Sequence, residues 1–211
     1  MRVIAIDGPA GSGKSTVAAA VAALTGLEVL DTGAMYRAVT LAALRAGTDL
    51  LDGAALGDLA ASVRLTVGRR VQLGGEDVTN QIRSPEVGVA VSVVAAHAPV
   101  REVLVAQQRA WVDEHGGGVV EGRDIGTVVF PDADVKVYLT ASPDVRSRRR
   151  AGELGVSARD ELDAVAGGIA ERDRLDSGRA VSPLQTAADA YVIDSSTLHL
   201  DEVVKEVLAL L

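Results

Sequence analysis

Short apolar runs alternate with segments of helical periodicity along most of the chain. The apolar runs lie at residues 3–6, 27–30, 119–120, 135–139 and 190–193, and a helical pattern follows most of them. Strands that are apolar throughout and alternate with helices are typical of a parallel sheet covered on both faces. The pattern therefore predicts an α/β fold with a five-stranded parallel sheet, closed by an amphipathic helix over residues 199–211.

The middle of the chain breaks this rhythm. Residues 63–67 and 71–73 alternate with period two between glycines, which predicts a small antiparallel meander. Ser84 and Pro85 form a typical helix start, and we expect that helix to run over 87–96 until Pro99 ends or kinks it. A second helix is expected over 100–114, closing at residues 116–118. We therefore divide the chain into a core, residues 1–53 and 99–211, and an inserted lobe, residues 54–98.

Composition narrows the class of protein. The chain has 211 residues, a hydrophobic fraction of 48% and a charged fraction of 24%, which suits one globular catalytic unit. No apolar run approaches the roughly 20 residues that cross a bilayer, and the strand behind Met1 leaves no room for a signal segment. The absence of cysteine excludes disulfides and thiolate metal sites and fits the cytoplasm. A net charge of −8 argues against nucleic-acid binding, so we expect small-molecule partners.

A phosphate-binding motif follows the first apolar run. Residues 8–16 match the pattern G-x-x-x-x-G-K-[ST] between a predicted strand and a helical stretch at 17–24, so a glycine-rich turn without a ligand is the weaker interpretation. Lys14 is expected against the β- and γ-phosphates and Ser15 on Mg²⁺. The residues expected to bind the phosphates of ATP are Gly8, Pro9, Ala10, Gly11, Ser12, Gly13, Lys14, Ser15 and Thr16.

Other segments distinguish among the classes of protein that carry this loop. The guanine motif of GTPases and the signature of transporter ATPases are both absent, which leaves a small kinase. Arg37 lies one turn into a predicted helix that follows Asp31, where an arginine could hold an acceptor phosphate or simply face solvent. Residues 121–127 follow the central strand, where ligands of such sheets gather, although a surface loop is the alternative.

Two arginine-containing clusters flank a glycine-containing stretch near the end of the chain. Arg146, Arg149 and Arg150 share one helical face, and Arg172 and Asp176 share another. Charge runs usually face water, but two such clusters around a hinge favour a mobile helical lid over about residues 146–176.

These motifs together resemble the bacterial cytidylate kinases, a family of nucleoside monophosphate kinases. The resemblance covers nearly the whole chain and includes the inserted antiparallel lobe. It rests on residues 8–16, 31–37, 122–133 and 171–184. Glu121 and Thr32 depart from the commonest family pattern, which has Asp and Ser there, but both keep the functional group.

The resemblance implies roles for individual residues. Arg37, Arg123 and Arg179 would hold the acceptor phosphate, and Thr32, Arg172 and Asp176 would lie near that phosphate or the ribose. Ser92, Arg101 and Asp124 correspond to the cytosine contacts of the family. The residues expected to act on the transferred phosphoryl group are Lys14, Arg123, Arg149, Arg172 and Arg179.

The expected reaction is transfer of the γ-phosphoryl group of ATP, with Mg²⁺, to CMP or dCMP by a monomeric enzyme. A phosphate monoester has its second pKa at about 6, so the acceptor oxygen needs no strong base. His97, His115 and His199 match no base or metal motif. Two alternatives stay open: a kinase for UMP or for a metabolite alcohol, with Asp31 as the candidate base, and a non-catalytic module that binds ATP.

Overall fold

The computed structural model describes all 211 residues and has eight strands and eight α-helices. In chain order they are β1 (Arg2–Asp7), α1 (Lys14–Thr25), β2 (Val29–Asp31), α2 (Thr32–Ala46), α3 (Gly53–Ser62), β3 (Leu65–Val67), β4 (Val71–Leu73), β5 (Glu76–Asp77), α4 (Pro85–Val94), α5 (Ala98–His115), β6 (Gly117–Gly122), β7 (Val135–Thr140), α6 (Pro143–Leu154), α7 (Arg159–Gly178), β8 (Tyr191–Asp194) and α8 (Leu200–Leu208). A 3₁₀ turn (Gln81–Arg83) and a π-helical turn (Ile125–Val129) complete the regular structure.

The main sheet is parallel and five-stranded, as the apolar runs predict. Its strand order is β2-β6-β1-β7-β8. Alternate residues of β1 point to its two faces. Val3 and Ala5 join a core formed with α2, α3, α4 and α5, whereas Ile4 and Ile6 join a core formed with α1 and α8. Burial on both faces explains why this strand is apolar throughout. Since β1 is the middle strand of the sheet, its carboxyl end lies at the middle of the sheet edge.

A second, antiparallel sheet has the order β3-β4-β5. The meander predicted from residues 63–73 is confirmed, and a third strand, Glu76–Asp77, extends it. That strand is short, polar and exposed, so it carries no apolar alternation. Val71 packs with Val78 and Ile82 against the outer face of α2. The assignment of residues 54–98 to a separate lobe stays our proposal.

The prediction that Pro99 ends the first helix of this region is wrong. Helix α4 begins at Pro85 with Ser84 as its cap, as predicted, but it ends at Val94. Pro99 instead lies in the first turn of α5, where a missing N–H costs no hydrogen bond. Gly116 closes α5 with φ 68°, as expected, whereas the two glycines after it belong to β6.

The predicted lid region forms two helices, α6 and α7, which pack against each other. Ser142 caps α6 and Gly155, with φ 68°, ends it. The first half of α7 is largely exposed, while Asp176 near its end is buried. No single helix is long and apolar enough to cross a membrane. Helices α4 and α5 reach that length and apolar character only as a pair, and the chain bends by 100° between them.

Candidate active site

The phosphate-binding loop connects β1 to α1 in a conformation that depends on its glycines. Gly8 has φ 152°, and a Cβ atom there would lie 2.0 Å from the carbonyl oxygen of Leu139. Gly11 has φ 73°, and its Cβ would lie 2.9 Å from the carbonyl oxygen of Arg146. The loop is therefore packed between β7 and α6, and the N-terminus of α1 opens directly after it.

Lys14 is the first residue of α1 and is buried. Its Nζ atom donates to the carbonyl oxygen of Pro9 at 2.8 Å and lies 3.5 Å from Ser12 Oγ. Burial lowers the pKa of Lys14, and repulsion from Arg123 lowers it further. A bound polyphosphate would offset both effects, so the cation is placed where an anionic ligand stabilises it.

Ser15 and Glu121 bring oxygen ligands together beside the loop. Ser15 Oγ donates to Glu121 Oε2 at 2.9 Å. Asp31 is the register partner of Glu121 on the neighbouring strand, and burial followed by this second carboxylate raises the pKa of Glu121. Hydroxyl and carboxylate oxygens are ligands that Mg²⁺ accepts, so the residues present fit that ion.

Thr32 contacts the backbone of Glu121. Its hydroxyl donates to the carbonyl oxygen of Glu121 at 2.7 Å, and the side chain is buried. In this structure the Thr32 hydroxyl therefore fixes the end of β6.

Arg123 bridges the loop and α7. Its Nη1 atom donates to the carbonyl oxygen of Gly8 at 2.9 Å, and its Nε atom donates to Asp176 Oδ2 at 2.9 Å. Ser92 Oγ donates to the other oxygen of the same carboxylate at 3.4 Å. Asp176 is thus in direct contact with Arg123, predicted for the acceptor phosphate, and with Ser92, predicted for the base.

The residues expected to contact cytosine meet in the interior. Arg101 forms a buried ion pair with Asp124, and its guanidinium carbon lies 5.4 Å from the centroid of the Tyr36 ring. Arg101 Nε and the Tyr36 hydroxyl are buried without a hydrogen-bond partner. Both polar atoms of the buried Gln108 side chain also have no hydrogen-bond partner. Unpaired buried polar atoms are costly, so these groups are available to a polar ligand. No motif in the sequence marks Tyr36 for this role.

Arg179 approaches the same group from the end of α7. Its Nε atom donates to the carbonyl oxygen of Ser182 at 2.7 Å. Nη2, which has no hydrogen-bond partner, lies 3.8 Å from Asp124 Oδ1, and Nη1 lies 3.9 Å from Asp176 Oδ1.

Arg37 and Arg172 add positive charge that is only partly balanced. Burial, followed by repulsion from Arg123 and Arg37, lowers the pKa of Arg172 to about 9, so it stays a cation at neutral pH. Burial also lowers the pKa of Arg37, whose guanidinium donates to the carbonyl oxygen of Ile82 at 3.4 Å. A cluster of cations that repel one another favours the binding of an anion between them.

Two arginines of α6 bind the phosphate-binding loop. Arg146 binds the carbonyl oxygen of Ala10 at 3.0 Å and pairs with Asp173, which in turn accepts from the Ala10 amide at 3.0 Å. Arg149 donates to the carbonyl oxygen of Ser12 at 3.1 Å and to both oxygens of Ser195.

Arg150 pairs only with Glu153 and lies close enough to Arg37 and Arg172 to lower the pKa of both. The helical periodicity did not separate these three arginines, although Arg149 was already expected to act on the transferred phosphoryl group. No role was predicted for Asp173 or Ser195.

A parallel sheet with this loop and a converging set of arginines defines the class of the protein as a phosphate-binding-loop kinase. Its fold is similar to that of a gluconokinase from Sinorhizobium meliloti 1021, with 17% identity and a TM-score of 0.51 over 99% of this chain and 90% of that one. An uncharacterised protein from Eubacterium ventriosum, 12% identical, has a TM-score of 0.54 over 99% and 97% of the two chains.

The particular family follows from the sequence comparisons. Residues 4–211 match the family model of cytidylate kinase. The cytidylate kinase of Mycobacterium leprae is 50% identical over 210 residues, covering 99% of this chain and 94% of the relative. Those of Pelotomaculum thermopropionicum and Desulforamulus reducens are 54% and 53% identical, each over 98% of this chain and 94% and 95% of their own. The chain belongs to the cytidylate kinase family.

Proposed function

We propose that this protein transfers the γ-phosphoryl group of ATP to CMP or dCMP, giving ADP and CDP or dCDP. The observation that carries the proposal is the contact between Arg123 and the carbonyl oxygen of Gly8 at 2.9 Å, which joins an acceptor-side arginine to the phosphate-binding loop. Donor and acceptor phosphates would therefore meet on either side of one guanidinium. The family of the chain supports the same reaction.

The donor side of the site binds and orients ATP. The loop amides and Lys14 would hold its phosphates, and Ser15 with Glu121 beside it would hold Mg²⁺. When bound, the ion neutralises charge on the phosphates of ATP. Lys14 and Arg149, which is fixed to the loop carbonyl of Ser12, add positive charge near the transferred group.

The acceptor side has mainly to overcome repulsion between two polyanions. An acceptor monophosphate is largely dianionic at neutral pH because its second pKa is about 6. Arg37, Arg123, Arg172 and Arg179 would hold it in line with the γ-phosphate, so catalysis rests on positioning and electrostatics.

The structure gives little support to the alternative of an alcohol acceptor, which requires a general base. Asp31, the candidate for that base, caps α2 through a 3.0 Å hydrogen bond from the Ala34 amide, and this bond occupies one of its oxygens.

Recognition of the base rests on Asp124, on Arg101, which pairs with it, and on Ser92, which donates to Asp176. Asp124 is a carboxylate held by its ion pair with Arg101, and a carboxylate accepts hydrogen bonds but cannot donate them. The exocyclic amine of cytosine is a donor, whereas uracil presents a carbonyl oxygen at the same place. We therefore expect CMP and dCMP to be preferred over UMP.

Four further parts of the proposal stay predictions. They are the use of Mg²⁺, a monomeric state, a cytoplasmic location and a place in pyrimidine nucleotide metabolism.

The test is ADP formation from Mg-ATP with CMP, dCMP, UMP, AMP or no acceptor. We expect strong stimulation by CMP and dCMP and weak stimulation by UMP. Stimulation by a different acceptor alone would replace cytidylate as the substrate. Tight ATP binding without stimulation by any acceptor would identify a non-catalytic module.

A further inference from the structure

Asp7 is a buried acid at the carboxyl end of the central strand, and none of the proposed catalytic steps uses it. Its carboxylate accepts two backbone hydrogen bonds from the segment that follows β6. Oδ1 accepts from the Ile125 amide at 2.8 Å and Oδ2 accepts from the Gly126 amide at 2.7 Å. These amides open the π-helical turn Ile125–Val129, so Asp7 holds the start of that turn.

The segment that Asp7 holds carries two of the proposed acceptor residues. Arg123 and Asp124 lie between the last residue of β6 and the amides that Asp7 binds. Asp7 is itself the register partner of Gly122 and is followed at once by Gly8, the first residue of the phosphate-binding loop. The loop and the acceptor segment are therefore joined three times: by strand pairing, by the Asp7 carboxylate and by the bond from Arg123 to Gly8.

We infer that Asp7 is a positioning residue for the acceptor site. Its carboxylate fixes the backbone after Asp124, and thereby sets the distance and angle of Arg123 and Asp124 relative to the phosphate-binding loop. The inference rests on the proposed function, because it gives Arg123 and Asp124 their roles toward the acceptor. It assigns Asp7 no contact with either nucleotide.

The surroundings of Asp7 fit this role. Burial raises the pKa of Asp7 to about 6, although both backbone amides and the charge of Lys14 favour its ionised form and Asp124 opposes it. The group is therefore an anion at neutral pH. An ionised carboxylate that accepts two amide hydrogen bonds holds a backbone segment more firmly than a neutral side chain does.

The principal test is Asp7→Asn, measured by steady-state kinetics with each substrate varied and by calorimetric binding of ATP alone. An asparagine keeps the shape but presents an NH₂ group to one of the two amides, so one hydrogen bond is lost and two donors face each other. We expect KM for CMP to rise roughly tenfold or more. The Kd for ATP should change by less than about twofold, because the loop itself is held by other contacts.

A matched control uses Asp134, which precedes β7 and binds the other end of β1. Asp134 Oδ2 accepts from the Val3 amide at 2.7 Å, so Asp134→Asn also removes a carboxylate bond to backbone, far from the acceptor segment. This variant should lose stability and keep its KM for CMP. If Asp7→Asn raises that KM no more than Asp134→Asn does, or weakens ATP binding as much as CMP binding, the inference is wrong.

A second variant keeps the test decisive if Asp7→Asn does not fold. Asp7→Glu keeps the charge, but its extra methylene moves the carboxylate relative to the Ile125 and Gly126 amides that it binds. A rise in KM for CMP is expected, and an unchanged value in a folded Asp7→Glu variant would overturn the inference. A wild-type enzyme that CMP does not stimulate would instead overturn the proposed function, and the inference with it.

Discussion

At the scale of single residues, the positive charge of the site's arginines is partly neutralised by two buried carboxylates, Asp124 and Asp176. Each carboxylate is in contact with more than one of Arg101, Arg123 and Arg179. Removing either carboxylate leaves cations close together without compensation, and removing an arginine leaves a buried anion unpaired. The charged residues of the site therefore contribute to stability as well as to binding.

The first prediction concerns Asp176 and pH. Burial alone would raise its pKa, but Arg123, Arg172 and Arg179 outweigh burial and hold it below the ordinary value of 3.8. The stabilisation from the ionised form is therefore complete above that value and is lost as the pH falls through the lower value in the folded protein. Asp176→Asn should lower the free energy of unfolding by about 1.5 to 3 kcal/mol at neutral pH, and by less below about pH 4.

Urea denaturation at both pH values measures this difference. Glu171→Gln is the control, since Glu171 is also paired with an arginine but is fully exposed, and it should have little effect. A difference for Asp176→Asn that does not shrink in acid would contradict the argument.

The second prediction concerns the buried pair of Arg101 and Asp124. Arg101→Met should destabilise the protein by about 3 to 5 kcal/mol, because it leaves the carboxylate of Asp124 buried with its nearest cation removed. Adding Asp124→Asn should recover part of that loss. Chemical denaturation of both single variants and the double variant gives the coupling energy, and strict additivity would mean that the two residues do not interact.

The sequence predicted most of the site residues, but it assigned no role to a few residues that are defined by contacts between distant parts of the chain. Lys14 and Ser15 follow from motif spacing, and the acceptor residues follow from the family resemblance. Their individual roles stay predictions. No role was predicted for Asp7, Tyr36 or Ser195, because their contacts in the structure are backbone hydrogen bonds, ring contacts and burial. These interactions have no fixed spacing along the chain.

At the scale of elements, strands with both faces buried were predicted to within a few residues, because a continuous apolar run leaves little choice. The elements that were missed or misplaced lack that signal. Strand β5 is two exposed acidic residues, and the π-helical turn Ile125–Val129 depends on Asp7 from another strand. Pro99 was misread because a proline suits both the end of one helix and the first turn of the next.

The third prediction concerns α7 as a lid helix. Gly167 and Gly168 lie in its middle, between the exposed first half and the half that carries Arg172 and Asp176, and a Cβ at either glycine would meet nothing within 4 Å. Changing both to alanine should stabilise the helix by about 1 kcal/mol each. If the lid closes by bending there, kcat should also fall several-fold.

The control for this variant is Gly152→Ala in α6, where a Cβ also meets nothing within 4 Å. It should raise the melting temperature without lowering kcat. An equal loss of kcat in both variants, or no loss in either, would remove the glycine pair from the closing motion.

At the scale of the whole molecule, a protein of net charge −8 brings several arginines together around one edge of the sheet, namely Arg37, Arg123, Arg172 and Arg179. The phosphate-binding loop begins at the end of β1, and the segment with Arg123 and Asp124 begins at the end of β6. Helices α6 and α7 contact the loop through Arg146, Arg149 and Asp173. Binding of both nucleotides should therefore stabilise the entire fold, because each ligand neutralises charge that the empty site holds apart.

The fourth prediction follows from this linkage. ATP or CMP at 100 times its Kd should stabilise the protein by about 2.7 kcal/mol, which raises the melting temperature by about 5 to 10 °C. Lys14→Met should abolish the shift with ATP and keep the shift with CMP, and its turnover should fall by orders of magnitude. Thermal scans with each nucleotide make the comparison; a full ATP shift in a folded Lys14→Met variant would contradict the role of the loop.

The most direct measurement of the central claim is the fate of a labelled γ-phosphoryl group. The protein is incubated with Mg²⁺, ATP labelled in the γ-phosphate and unlabelled CMP, and the nucleotides are separated. We predict that the label appears in CDP, that ADP forms in equal amount, and that Lys14→Met transfers almost none. Label recovered only as inorganic phosphate, or left in ATP while CMP stays unchanged, would contradict the account.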